Sequence, residues 1–247
     1  MDDYARPELL CDTAWLAAHL NDPALRLIDC GMPDAYSRAH IPSAVGLPHP
    51  YLKGEKSLFG MPPEQFEGLM AERGIANESP VVLYDDNASL YAARVWWAFD
   101  HFGHPNARVL NGGFNQWLHE GRPLTSQVPR PPRSQFRASV SEAQLCTLDG
   151  LRGSLGDPST GSGQDPSTGS SRPVGTSTVV WDVRSSEEWT GENDRGNKRR
   201  GHVPGAVHLE WRELMQGPPG RQFKPAAELR RMLAARGITP DKRVVTY

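Results

Sequence analysis

RGIANESPVVLY, residues 73–84, returns without a gap as RGITPDKRVVTY at residues 236–247. Each stretch runs from a glycine through a polar turn into a run rich in β-branched residues, as a helix end leading into a buried strand does. A second pair of blocks lies upstream of each, in the same order. LIDCGMPDAYSRAHIPSAV, residues 27–45, matches VWDVRSSEEWTGENDRGNKRRGHVPGAV, residues 180–207. Asp29 falls on Asp182, Tyr36 on Trp189, and AHIPSAV on GHVPGAV after a longer connection in the second copy. Two blocks repeated in one order mark a duplicated domain.

Working outward, each copy alternates strand and helix. In the first, Asp12 or Thr13 is placed to cap a helix AWLAAHL, LRLID is a strand, and PPEQFEGLMAERG is an amphipathic helix with Gly74 to end it. PVVLY is a strand, ASLYAARVWWAFDHFG a helix, ARVLN a strand and GFNQWLHEG a helix. This alternation predicts an α/β fold of two domains, each a mostly parallel sheet with helices on both faces. The expected boundaries are 5–125 for the first domain, 126–140 for a Pro- and Arg-rich linker and 141–247 for the second. A segment at about 152–177, which repeats DPSTGS and has almost no apolar side chains, reads as a flexible insertion. Tyr247 corresponds to Tyr84, after which the first copy continues through two helices and a strand. The second domain is therefore expected to be incomplete in this chain and poorly packed.

The chain has 247 residues and a net charge of -2, which argues against a general nucleic-acid or membrane binder. No apolar run reaches the ~20 residues of a bilayer span, and the start MDDYARPELL lacks the features of a secretory signal, so a cytoplasmic protein is expected. The three cysteines, Cys11, Cys30 and Cys146, form neither a metal-ligand spacing nor a disulfide framework. No metal and no cofactor are expected.

In open parallel sheets the ligand site lies beyond the carboxyl ends of the strands, and backbone N–H groups at a following helix start attract anions and activate thiols. The loop after VVLY or VVTY is such a place. In the first copy it reads DDNASLY, so Asp85 and Asp86 stand where a nucleophile would, and the first domain is expected to be catalytically silent. The run NDRGNKRRGH places Arg195, Lys198, Arg199 and Arg200 near the expected mouth of the second site, where they serve either as an anion lure or as a solvated loop. His40 and His202, which precede matched turns, are read as structural, and Trp96 and Trp97 as helix and core residues.

The D-x-R and GHVPGAV of the second copy, the AHIPSAV of the first, and ARVWWAFDHFGHPNARVLNGGFNQWLHEGRPL resemble the tandem rhodanese family of thiosulfate and 3-mercaptopyruvate sulfurtransferases. The resemblance spans nearly the whole chain except the insertion. It implies a nucleophile carrying a persulfide immediately after Tyr247, and none among the residues present, so that the 247-residue chain by itself is expected to be inactive. It implies a small anionic sulfur donor and a thiophilic acceptor as partners, with Asp182 and Arg184 at the substrate site and Asp85 at the silent position of the first domain; the cationic run adds Arg200 to the expected substrate site. Arg184 either orients the donor or forms a structural ion pair with Asp182. Glu188, where users of mercaptopyruvate often have Arg, favours thiosulfate. The rival readings are a non-catalytic rhodanese-like binding or regulatory module and a related phosphatase. The end at Tyr247 admits a selenocysteine codon read as stop, a gene fragment or a boundary of other origin. Oligomeric state is left open.

Overall fold

A computed structural model describes residues 3–52, 61–155 and 178–247. The chain divides into two compact units, residues 1–145 with 215–226, and residues 146–214 with 227–247.

The first unit contains β1 (Leu10–Cys11), α1 (Thr13–His19), β2 (Arg26–Asp29), α2 (Pro33–Arg38), β3 (Val45–Gly46), α3 (Pro63–Glu72), β4 (Val81–Tyr84), α4 (Leu90–His101), β5 (Ala107–Leu110) and α5 (Gly113–His119). Its five strands lie in the order β1-β5-β4-β2-β3, and every pairing is parallel. The pleat sends successive side chains to opposite faces. Val81 and Leu83 join Phe66 and Met70 of α3 and Val95 and Phe99 of α4 in one core. Val82 and Tyr84 join Leu16 of α1 and Trp117 of α5 in the other. Helices thus cover both faces, and all four residues of β4 are buried, each large apolar side chain contributing about 1.5–3 kcal/mol. Asp12 caps α1 by accepting from the Trp15 amide at 2.7 Å, and Gly74 ends the turn after α3 at φ +66°.

Residues 126–140, expected as a linker, pack on this unit. Phe136 is buried among the α3 and α4 side chains, Ser134 Oγ donates to the Ile75 carbonyl at 2.6 Å, and the Ala138 amide donates to Glu67 at 2.9 Å.

The second unit contains α6 (Leu148–Leu155), β6 (Thr178–Asp182), α7 (Ser186–Thr190), β7 (Val207–His208), α8 (Ala226–Ala234) and β8 (Arg243–Thr246). Its sheet runs β7-β6-β8, again parallel. Residues 152–155 of the expected insertion belong to α6, and the rest of it lies outside the described residues. The internal repeat fixes matching hydrogen bonds in the two units. The amides of Cys30 and Leu47 donate to the carbonyls of Tyr84 and Asp29, as those of Val183 and Leu209 do to Tyr247 and Asp182. Burial differs: Val81 is 1% exposed and its counterpart Val244 is 37% exposed, because among the described residues β8 pairs with β6 alone.

Candidate active site

The carboxyl ends of β6 and β8 bring together residues that are far apart in sequence. Asp182 closes β6 and is fully buried, and Arg184 meets it with two prongs: Nε donates to Oδ1 at 2.9 Å and Nη2 to Oδ2 at 2.6 Å. Nη2 also donates to the Gly201 carbonyl at 2.9 Å, and the guanidinium lies 4.9 Å from the centre of the Tyr247 ring. Burial works against the Asp182 charge, but the bonds from Arg184 outweigh it and hold the carboxyl below its ordinary range. The reciprocal bond to Asp182 raises Arg184. Of the two readings left open for Arg184, the ion pair is the geometry present.

Tyr247 is held from the other side, its hydroxyl accepting from the Val203 amide at 2.9 Å. In the first unit Tyr84 accepts from the Ile41 amide at 3.1 Å, so the repeated I/V-P turn hangs on the repeated tyrosine in both units. Composition gives no hint of this bond. The signal that could have found it is the joint recurrence of the tyrosine and the turn.

Around this centre the expected cationic run is neutralised in part. Arg195 pairs with Glu188 at 3.3 Å, and Arg200, 68% exposed in its side chain, pairs with Asp194 at 3.1 Å. His202 stacks on Trp189 with ring centroids 3.4 Å apart, and its Nδ1 lies 3.0 Å from the Trp189 carbonyl. His40 stacks on Tyr36 in the same way, with its two nitrogens facing the carbonyls of Tyr36 and Gln127. His40 also forms an isolated antiparallel bridge with Thr125, and both histidines precede the repeated turns. His208, which had no role in the sequence reading, stacks on Trp189 as well and puts Nε2 2.9 Å from the Arg184 carbonyl.

The first unit lacks the guanidinium. Gly31 stands at the position of Arg184 and reaches Asp29 with its amide, at 2.8 Å; burial outweighs this bond and one from the Tyr84 side chain and raises the Asp29 carboxyl. A cavity of about 140 Å³ lies here, lined by Asp29, Gly31, Arg38, Asp86 and Phe114 among others. Asp85 turns away from solvent and its carboxylate accepts from four backbone amides, those of Asn87, Ser89, Tyr91 and Ala92.

Cys11 and Cys30 are buried; burial pushes Cys11 up to about 12 and Cys30 well above the ordinary thiol range. Cys146 is half-buried, and its Sγ faces the Thr147 carbonyl at 3.7 Å. Among the described residues no group of His, Cys, Asp and Glu has the arrangement of a metal site, and no helix is long and apolar enough to cross a membrane.

Comparison with known proteins places this geometry. The model of the Rhodanese-like domain matches residues 12–120 and again 171–247. A thiosulfate sulfurtransferase of Azotobacter vinelandii is 32% identical over 255 residues, covering 100% of this chain and 84% of that protein. The sulfur carrier protein TtuD of Thermus thermophilus is 32% identical over 259 residues, covering 99% of this chain and 83% of its own. Among solved structures, SseA from Escherichia coli, described with the rhodanese fold of 3-mercaptopyruvate sulfotransferases, superposes with a TM-score of 0.79 at 25% identity, covering 96% of this chain and 87% of that one. The chain therefore belongs to the rhodanese family and is built from two rhodanese-like domains.

Proposed function

We propose that the protein is a cytoplasmic sulfurtransferase whose reaction belongs to the second unit, at the position that follows Tyr247. The observation that carries this reading is the contrast between two equivalent strand ends: the first is closed by a carboxylate sealed in backbone amides, whereas the second ends beside a buried Asp182–Arg184 pair. The donor is thiosulfate in preference to 3-mercaptopyruvate. Glu188 is a carboxylate half-satisfied by Arg195, a poor partner for a keto acid. A thiolate after Tyr247 attacks the outer sulfur of thiosulfate; the new S–S bond forms as sulfite leaves with the electron pair of the old one. The persulfide then yields its outer sulfur to a thiophilic acceptor, cyanide or a thiol, and the nucleophile is restored. Arg184, already committed to Asp182 and Gly201, acts on the donor through the charge of its exposed edge, and Arg200 draws anions from farther out.

The second reading, a non-catalytic rhodanese-like binding or regulatory module, is favoured by the state of the thiols. Two are buried with raised pKa values. One experiment separates the two. A protein in which the chain continues past Tyr247 is incubated with thiosulfate, and the peptide containing Arg243–Tyr247 is weighed; a gain of one sulfur is expected, together with thiosulfate:cyanide turnover, and no turnover is expected of the 247-residue chain. Turnover by the 247-residue chain that survives replacement of all three cysteines, or a folded longer protein that gains no sulfur, overturns the proposal.

A further inference from the structure

Arg73 and Arg236 open the two copies of the repeated RGI block and clamp the chain in the same way. Arg73 Nε donates to the Gly46 carbonyl and Nη1 to that of Leu69, both at 3.0 Å. Arg236 Nε donates to the His208 carbonyl at 2.8 Å and Nη1 to that of Met232 at 3.4 Å. Each guanidinium thus ties the end of α3 or α8 to β3 or β7. The two differ at the remaining nitrogen. Arg236 Nη2 faces the Glu213 carboxylate at 4.0 Å. The one-turn helices His49–Leu52 and Trp211–Leu214 follow β3 and β7 at the same spacing, so Tyr51 stands where Glu213 does. Among the described residues no carboxylate bonds to the Arg73 guanidinium. Its neighbour Glu72 is paired with Arg133 at 3.7 Å, and burial disfavours the Arg73 charge more than Glu72, Tyr51 and Tyr36 support it.

Arg73 also lines a cavity of about 440 Å³, within the ~300–1,000 Å³ of small-molecule sites. Its walls include Tyr36, Val45, Pro48, Tyr51 and Pro131, and its cations Arg73 and Arg130 outnumber its one acid, Glu72. Tyr36 is fixed there by the bond from its hydroxyl to the Ala44 carbonyl at 2.9 Å. Gly46, which lines the cavity too, stands where His208 stacks on Trp189 in the second unit, so no imidazole takes up that space. The cavity therefore combines ring and proline walls with a half-buried cation whose counterpart has an acid beside it.

We propose that this cavity binds a small monocarboxylate with one apolar ring, its carboxylate taking at Arg73 the place that Glu213 takes at Arg236 and its ring lying against Tyr36, Tyr51 and the prolines. The site is separate from the strand ends described above and does not depend on the sulfur-transfer reading.

The test is a titration of the 247-residue chain with phenylacetate, followed by nuclear magnetic resonance at the Arg73 Nε–H group and the Gly46 amide. Saturable shifts are expected in the low-millimolar range. Phenylacetamide, which has the same shape without the charge, and acetate, which has the charge without the ring, should each need at least tenfold higher concentration. Equal responses to phenylacetate and phenylacetamide, equal responses to phenylacetate and acetate, or no shift in ~20 mM phenylacetate overturn the proposal. Tyr51→Glu rebuilds the arrangement of the second unit by giving Arg73 an internal carboxylate, and Arg73 keeps its two backbone bonds. This variant is expected to hold its melting temperature and to weaken phenylacetate binding at least tenfold. A folded variant that binds phenylacetate as the parent does also overturns the proposal; if the variant does not fold, the comparison of the three probes on the unsubstituted chain decides.

Discussion

At the scale of single residues, the same carboxylate behaves differently in the two units because of one neighbour. Asp29 has the amide of Gly31 where Asp182 has a guanidinium, and burial raises it, while Asp182 faces the Arg184 guanidinium and is lowered. Glycine at 31 is also a packing matter: a Cβ there would sit 2.9 Å from Asp29 Oδ1. A different buried residue bears on the acid stability of the first unit. His104 is 2% exposed, both ring nitrogens lack a hydrogen-bond partner among the described residues, and its neighbours are the rings of Phe99 and Phe136. Burial outweighs the nearby backbone of Ala76 and Ser79 and lowers its pKa, so the folded protein favours the neutral ring. The stability this contributes is full above the unfolded value of about 6.5 and is lost as pH falls from there toward the folded value. The loss is at most about 1.4 kcal/mol per pH unit. His104→Phe keeps the ring packing and removes the proton site, so thermal unfolding of this variant between pH 5 and 6.5 should decline less steeply than that of the parent. Parallel curves would mean that other groups set the slope.

At the scale of elements, what could be read in advance was what repeats over enough residues to show a period. β2, β4 and β5 and helices α1, α3, α4 and α5 lie where apolar runs, caps and Gly74 put them. β1 and β3 have two residues each and α2 and α7 have six and five, too short for alternation or a helical stripe to emerge. The destination of residues 215–226 was equally invisible, because it depends on tertiary bonds to polar side chains. These residues come from the second repeat yet pack with the first unit. The Phe223 amide donates to Asn111 Oδ1 at 2.9 Å, Tyr4 donates to the Lys224 carbonyl at 2.9 Å, and a Cβ on Gly220 would collide with the Gln116 side chain. Asn111 is itself buried at the end of β5. Asn111→Ala strands the Phe223 amide and should cost about 1 kcal/mol locally. Hydrogen exchange is expected to quicken at Phe223 and its neighbours while β4 stays protected; unchanged exchange at Phe223 would show that the strap is held by other contacts.

At the scale of the whole molecule, the parallel strands whose carboxyl ends meet at the proposed site were legible from topology, whereas the hydrogen bonds there were not. Nothing in DDNASLY says that one carboxylate will gather four amides, and D-x-R alone leaves open whether the arginine faces its own aspartate or a ligand. The two units also differ in how much apolar surface each sheet hides, and this sets which yields first. Val81, Val82, Leu83 and Tyr84 are each at most 1% exposed, while Val244 and Tyr247 are 37% and 36% exposed. Local opening is easiest where few apolar contacts must break, so limited proteolysis should make its early cuts in the second unit. The end of the surviving fragment is the more discriminating result. A linker free from residue 126 would be trimmed to about 125, but Ser134 is bonded to Ala71 and Ile75, Ser139 to Phe102, and Ser141 to His101 at 2.8 Å. The resistant fragment should therefore extend through residue 141. Trimming to 125 would show that these bonds open readily in solution, and equal resistance of both units would mean that the bare side of β8 is covered by a contact outside this chain.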